Sequence, residues 1–341
     1  MSKMKAMRLY GPNDWRLEEV EIPELEAYEI LVKVKAIGVC PSDIKAIRQG
    51  RKWALEKLGG PGHEFAGEVV KVGSKVTSFK PGDRVTADLE IRCGNCKYCL
   101  SGRDNLCVNA RFKYCAYAEY VISPERQTFK IPEKVSYEEA ALTEPLSCVY
   151  NGNRLANIHP GDWVVILGAG PIGLMHLQLA KNLSNAYVIV SEPNEKRAKV
   201  AKDLGADIVV NPFEENLLEI VKDATSGELA DSVIVSVGIP DVMSQALELV
   251  GKTGTVMYMA GVYYKADPNI PLNLNKIHYN EINVTGSYSK TLLQFKKTLS
   301  LMDLKVVDLK RIISHKIPLE KAYEAIEIAE KQQGLKIVVI P

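Results

Sequence analysis

Four cysteines crowd into one short segment of the 341-residue chain. Cys93, Cys96, Cys99 and Cys107 follow the spacing Cys-x2-Cys-x2-Cys-x7-Cys. Four thiolates at this spacing are typical of a tetrahedral zinc site that leaves no coordination position open. The spacing therefore predicts a structural zinc that fixes a long loop, and it disfavours four unrelated thiols.

A second set of possible metal ligands is dispersed along the chain. Cysteine, histidine and carboxylate side chains suit a catalytic zinc that keeps one position for water or substrate. Spacing alone does not connect the segments that carry them, and an isolated cysteine or histidine is more often a core residue. The residues in question are Cys40, His63, Glu64 and Glu144.

A glycine-rich turn lies between a predicted strand and a predicted helix. The sequence Gly168-Ala-Gly-Pro-Ile-Gly173 follows the apolar run 163–167, and Glu192 ends the next apolar run. Glycines allow the backbone to approach a pyrophosphate, which the positive end of a helix dipole attracts. The carboxylate of Glu192 would accept hydrogen bonds from the adenosine ribose and repel a 2′-phosphate, which favours NAD over NADP.

The alternative interpretation is an ordinary strand–turn–helix connection with an exposed glutamate. Arg197, on the following helix, could lie against the adenine, could be a solvated helix charge, or could weaken the preference for NAD. The predicted cofactor-binding residues are Gly168, Gly170, Ile172, Gly173, Glu192 and Arg197.

The elements that position these motifs fall into two patterns. Up to about residue 150, short β-rich runs such as 29–37, 67–72 and 83–87 are separated by Gly- and Pro-containing turns. From about residue 160, apolar strands alternate with helical segments until about residue 286, which is typical of a doubly wound parallel sheet. Two helices and a strand over 336–340 follow.

We therefore predict an α/β protein with two domains. A β-rich domain comprises residues 1–150 and 287–341 and carries both metal sites, and a nucleotide-binding domain comprises residues 151–286. The length of 341 residues suits two hydrophobic cores better than one.

Composition excludes several classes of function. The formal net charge of +1 gives no general attraction to nucleic acid or to anionic membranes. No apolar run approaches the roughly 18 residues of a membrane span, and the N-terminus lacks a signal-peptide core. An odd number of cysteines, clustered as they are, fits metal binding in a reducing compartment better than disulfides, so we expect a cytoplasmic protein.

Taken together, these motifs resemble the zinc-containing medium-chain dehydrogenase/reductase family, especially its polyol and threonine dehydrogenase branches. The resemblance rests on Gly62-His63-Glu64, the four cysteines, Thr143-Glu144-Pro145 and the glycine turn, in the family's order. It implies a GroES-like catalytic domain and a Rossmann domain. It also implies that Cys40, His63 and Glu64 hold the catalytic zinc, with Glu144 as the fourth ligand or as a partner of the zinc-bound water.

The resemblance assigns Ser42 to a position whose hydroxyl starts a proton relay, although a simple turn hydroxyl is nearly as good an interpretation. The family often ends this relay with a histidine, where this chain has Lys45. Lys45 could act as a relay if its pKa were depressed. It could instead attract an anionic group of the substrate, or it could be an ordinary surface lysine.

The sequence thus predicts an NAD-linked dehydrogenase of secondary alcohols or polyols, with two zinc ions per chain and a small-molecule substrate. A homo-oligomer, tetramer or dimer, is expected from the resemblance. One alternative is a zinc-free NADPH quinone or enoyl reductase on the same scaffold. Another is a non-catalytic zinc protein that binds a nucleotide, because a fold alone does not establish catalysis.

Overall fold

The computed structural model describes residues 3–50, 60–112, 115–263 and 266–341. The chain divides into two compact units. The first unit comprises residues 1–147, 290–304 and 309–341, and the second comprises residues 148–289 and 305–308. The short return of 305–308 to the second unit was not anticipated from the sequence.

The described residues form both strands and α-helices, which are numbered separately in chain order. The strands are β1 Lys3–Gly11, β2 Asp14–Glu21, β3 Glu29–Gly38, β4 Glu64–Val72, β5 Arg84–Ala87, β6 Glu90–Ile91, β7 Arg111–Phe112, β8 Tyr120–Pro124, β9 Thr128–Lys130, β10 Trp163–Leu167, β11 Tyr187–Ser191, β12 Ile208–Val210, β13 Ala230–Val235, β14 Val250–Tyr258, β15 Asn283–Gly286, β16 Ile313–Pro318 and β17 Lys336–Ile340. The α-helices are α1 Pro41–Gln49, α2 Lys97–Leu100, α3 Tyr137–Ala141, α4 Thr143–Leu155, α5 Pro171–Asn182, α6 Glu195–Asp203, α7 Leu217–Ala224, α8 Pro240–Leu249, α9 Leu274–Tyr279, α10 Leu292–Asp303 and α11 Ala322–Glu330.

The first unit is built on a mixed sheet with the order β16-β17-β3-β4-β5-β9, in which β8 also pairs with β3. All of these pairs are antiparallel except β16 with β17. The C-terminal strand β17 lies against β3, so the end of the chain completes the sheet that the first residues begin. Strand β3 has neighbours along both edges, and its apolar side chains are buried in the core.

The second unit contains a six-stranded parallel sheet with the order β12-β11-β10-β13-β14-β15. This is the doubly wound order, in which the direction of winding reverses between β10 and β13. Ligands of such sheets bind beyond the carboxyl ends of the strands at this reversal. The glycine turn directly follows β10, so the fold puts it where a dinucleotide is expected.

Four α-helices, α1 to α4, begin within the first 150 residues, where the sequence predicts mostly strands. Helix α1 has Pro41 at its first position and Asp43 at its third, both of which are helix-start signals. Helix α4 begins at Thr143 and carries Glu144 in its first turn. Among the described residues, no helix is long and apolar enough to cross a membrane.

One buried histidine in the second unit gives the fold a pH dependence. His176 on α5 is fully buried, and neither ring nitrogen has a hydrogen-bond partner among the described residues. Burial lowers the pKa of His176 from its ordinary value to about 3. The unfolded chain therefore binds a proton that the folded unit excludes, and acid favours unfolding.

We predict that His176→Leu reduces the loss of stability below about pH 6.5, where the wild type should lose about 1.4 kcal/mol per pH unit through this residue. The difference in free energy of unfolding between variant and wild type, measured by denaturant titration at several pH values, reports the effect. His159→Leu, at an exposed position of the same unit, is the control. Parallel pH profiles of His176→Leu and wild type would refute the prediction.

Candidate functional site

The pairing of β3 with β4 brings three possible metal ligands together. Cys40 lies two residues beyond the end of β3, His63 directly precedes β4, and Glu64 is the first residue of β4, which runs antiparallel to β3. The ligand atoms of these three residues all lie within 4.8 Å of one another. The dispersed segments that spacing did not connect are therefore joined by the register of two neighbouring strands. We call this the three-residue site.

Glu64 is held inside the sheet by two features that the sequence analysis missed. Gly38 pairs with Glu64, and a Cβ atom at Gly38 would lie 2.1 Å from Glu64 Oε2. Lys336 Nζ, at the start of β17, donates to Glu64 Oε1 at 2.7 Å and to the carbonyl oxygen of Val39 at 2.8 Å. Burial raises the pKa of Glu64, while the charge of Lys336 opposes that rise.

Asp43 orients the three-residue site, and it was also missed. Its buried carboxylate accepts hydrogen bonds from the N–H groups of Cys40 and Gly62 and from the hydroxyl of Tyr117. Asp43 Oδ1 lies 3.3 Å from His63 Nδ1, which would leave Nε2 of the ring for a metal. Burial lowers the pKa of His63, but the negative charges of Asp43 and Cys40 raise it well above its ordinary value. The thiol, imidazole and carboxylate grouped here are ligand types that zinc accepts.

Glu144 lies outside the group of three. Its Oε1 atom is 2.5 Å from Nζ of Lys290, and both residues are buried. Burial raises the pKa of Glu144, but the charges of Lys290 and His63 outweigh burial and lower it to about 2. Lys290 lies between β15 and α10.

The four-cysteine lobe, residues 93–107, brings its sulfur atoms within 4.8 Å of one another. The Cys93–Cys107 and Cys93–Cys99 sulfur distances are 3.5 and 4.0 Å. A tetrahedral zinc with Zn–S bonds of about 2.3 Å has sulfur–sulfur edges of about 3.8 Å. Gly94 has a φ of 75°, which supports the tight turn between the first two cysteines. The lobe therefore matches the dimensions of a zinc site.

The charges of the lobe also fit a metal. Backbone hydrogen bonds, of which that from Asn95 has the largest effect, lower the pKa of Cys93 to about 6. Desolvation raises the pKa of Cys99 to about 12. Thiolates this close to one another repel. A divalent cation among them removes that conflict.

The glycine turn has the shape of a phosphate-binding loop. Gly168 adopts a φ of 100°, and a Cβ at Gly173 would lie 1.9 Å from the carbonyl oxygen of Gly168. A Cβ at Gly170, by contrast, would meet no atom within 4 Å. Gly168 and Gly173 are therefore required by the tight backbone turn. Gly170 is the N-cap of α5 and faces open space, where a phosphate would lie close to the helix N-terminus.

The remaining predicted cofactor residues lie around this turn in the second unit. Glu192 is buried, and its two carboxylate oxygens accept hydrogen bonds from the N–H groups of Ala169 and Asn194. Each oxygen retains a lone pair for a ribose hydroxyl. Ile172 is half-buried on α5, and Arg197 is half-buried on α6. Ser236, which the sequence analysis missed, donates to the carbonyl oxygens of Leu167 and Gly168.

The two predicted relay residues lie on α1. The exposed hydroxyl of Ser42 donates to Cys40 Sγ at 3.2 Å, so it adjoins one of the metal-ligand candidates. Lys45 is half-buried one turn further along. Residues 51–59, which follow this helix, lie outside the described part of the chain.

Comparison with known proteins agrees with this arrangement. Residues 26–133 match the family model of the alcohol dehydrogenase GroES-like domain, and residues 171–303 match that of the zinc-binding dehydrogenases. The sorbitol dehydrogenase of Bacillus subtilis (strain 168) is 34% identical, over 99% of this chain and 97% of its own length. The L-threonine 3-dehydrogenase of Caldanaerobacter subterraneus subsp. tengcongensis is 33% identical, over 94% of each chain.

A solved structure extends the comparison to three dimensions. A zinc-binding dehydrogenase of Sinorhizobium meliloti 1021, bound to NADP, superposes with a TM-score of 0.93 at 32% identity, covering 100% of both chains. The chain belongs to the zinc-dependent medium-chain dehydrogenase/reductase family. The predicted fold, a GroES-like domain with a Rossmann domain, is confirmed. The protein is an oxidoreductase of the alcohol dehydrogenase type.

We predict that Asp43→Asn weakens metal binding at the three-residue site by about 10–100-fold, because the neutral amide orients His63 less strongly. Competition titration with a chromogenic chelator measures this affinity, and the four-cysteine lobe should keep its metal. Asp14→Asn, which alters a solvent-exposed ion pair of the same unit, is the control. Equal affinities in wild type and Asp43→Asn would contradict an orienting role for Asp43.

Proposed function

We propose that the protein is an NAD-linked zinc dehydrogenase of secondary alcohols, with polyols or sugar alcohols, phosphorylated or not, as the substrate class. The observation that carries the proposal is the grouping of Cys40, His63 and Glu64 within 4.8 Å in a chain that also holds a dinucleotide turn. Sorbitol and L-threonine, which the relatives' names specify, both present a secondary alcohol.

The three-residue site fits a catalytic metal. It offers one soft, one borderline and one hard ligand, the mixture that zinc accepts, and three protein ligands leave a position for the alcohol oxygen. When bound there, zinc would supply Lewis-acid polarisation of that oxygen, and NAD would accept the hydride. Asp43 and Lys336 fix the orientations of His63 and Glu64, so that the ligand set is formed in advance.

The proton of the alcohol needs a separate path. Ser42 adjoins Cys40 and is exposed, so its hydroxyl can accept the proton and pass it to bulk water. This route requires no neutral amine at Lys45. For Lys45 we keep the second role that the sequence suggests, attraction of an anionic group on the substrate.

The choice of NAD rests on Glu192. Glu192 is buried beside the glycine turn, where its two oxygens accept backbone hydrogen bonds, and a carboxylate at this place would oppose a 2′-phosphate. The Sinorhizobium meliloti structure nevertheless contains NADP, so the fold alone does not select NAD and the choice depends on individual residues. Two zinc ions per chain, a homo-oligomeric assembly and a cytoplasmic location complete the proposal and stay predictions.

The test is cofactor reduction across polyols, inositols, amino-alcohols and sugar phosphates, with NAD and NADP arms and a metal chelator. We expect activity with NAD on one substrate class, lost with chelator and restored by zinc. Glu192→Gln should lower the KM for NADP relative to that for NAD because it removes the repelling charge. Glu195→Gln, at the exposed start of α6, is the matched control.

The alternatives make different predictions for the same assay. Chelator-insensitive reduction of a quinone or an enone with NADPH would favour the zinc-free reductase. Nucleotide and zinc binding without turnover of any panel member would favour the non-catalytic zinc protein. A preference for NADP that Glu192→Gln leaves unchanged would contradict the role of Glu192.

A further inference from the structure

A network of buried charges in the first unit runs from the four-cysteine lobe to Glu144. Each member is at most 9% exposed. Charges buried this deeply are stable only when they are paired, so the members constrain one another's positions. The network comprises Asp88, Glu90, Arg92, Glu144 and Lys290.

Lys290 is the cation that contacts Glu144. Its Nζ lies 2.5 Å from Glu144 Oε1 and 3.3 Å from Asp88 Oδ1. A buried ammonium between two carboxylates resists separation from either, since each would be left as an unpaired buried charge. The position of the Glu144 carboxylate is therefore set by Lys290.

The contact between Lys290 and Glu144 bears on the number of carboxylates that could coordinate a metal at the three-residue site. Glu144 follows Leu142 by two residues, and a Cβ atom at Gly38 would lie 3.1 Å from Leu142 Cδ2 and 2.1 Å from Glu64 Oε2. Glu144 therefore lies near the three-residue site, yet it is outside the group of Cys40, His63 and Glu64. A catalytic zinc with three protein ligands keeps its fourth position for water or substrate. A second carboxylate released toward the metal would occupy that position.

We propose that Lys290 is a positioning residue, which holds Glu144 off the catalytic metal and so keeps a coordination position open for the alcohol. The inference rests on the proposed function, because it assumes that the three-residue site binds a metal. In the resting enzyme, Glu64 would then coordinate the metal, and Glu144 would lie beside the metal without coordinating it.

The four-cysteine lobe in turn fixes Lys290. Arg92 directly precedes Cys93, and its guanidinium donates to the carbonyl oxygen of Lys290 at 3.0 Å. Asp104, within the lobe, accepts the N–H of Leu292 at 3.2 Å and lies 3.5 Å from Arg92. A metal that orders the lobe thereby holds the segment that carries Lys290. The structural zinc would then influence the catalytic site as well as the stability of the first unit.

The experiment uses the full chain with zinc in the lobe and cobalt in the three-residue site. X-ray absorption and the visible spectrum of bound Co2+ report its ligands without reference to activity. In Lys290→Met we expect an added carboxylate oxygen on cobalt and a rise in the KM for the alcohol of about 10–100-fold. The double variant Lys290→Met with Glu144→Gln should regain the wild-type spectrum.

The controls separate positioning from general damage. Lys290→Arg keeps the cation and should keep the wild-type spectrum, as should Lys310→Met, whose lysine is 70% exposed in the same unit. If Lys290→Met does not fold, Glu144→Gln alone carries the test, and its cobalt spectrum should equal that of the wild type. An unchanged spectrum in Lys290→Met, or a lost ligand in Glu144→Gln, would overturn the inference.

The link to the lobe is tested by Arg92→Lys, which keeps the charge but lacks the planar fork. With the lobe still loaded, its cobalt spectrum should shift in the direction of Lys290→Met, and a wild-type spectrum would overturn this link. Failure of the wild-type three-residue site to bind cobalt at all would contradict the proposed function itself, and this outcome is distinct from either of the others.

Discussion

The register of β3 against β4 is the constraint on which the candidate site depends. Gly38 faces Glu64 across the ladder, and only a residue without a side chain leaves room for the Glu64 carboxylate. The same pairing brings Cys40, two residues beyond β3, to His63, one residue before β4. A shift of register by one residue would turn Glu64 to the opposite face of the sheet and separate the three ligands.

The buried charges around this register are arranged in pairs. Lys336 neutralises Glu64, Asp43 faces His63, and Lys290 contacts Glu144. Burial of each pair costs desolvation free energy, so the pairs are weak evidence for stability. Their effect is better described as orientation, because they hold the side chains of the site in fixed positions, as a metal centre requires.

The sequence predicted the parts of the protein that depend on local order. The alternation of strands and helices after residue 160, the glycine turn and the four-cysteine spacing each lie within a short segment, and the parallel sheet and the sulfur cluster follow from them. The partners of the ligands could not be found in this way. Lys290 is separated from Glu144 by 146 residues and Lys336 from Glu64 by 272, and both look like ordinary lysines in the sequence. Asp43 lies only three residues after Cys40, but its role depends on the side chains that surround it in the fold.

The presence of two metal centres is tested most directly by anomalous X-ray scattering at the zinc absorption edge from crystals of the zinc-loaded protein. We expect two peaks per chain, one among the sulfurs of the four-cysteine lobe and one between Cys40 Sγ, His63 Nε2 and the Glu64 carboxylate. A peak in the lobe alone, with zinc in excess, would contradict the claim that the three-residue site is a catalytic metal centre.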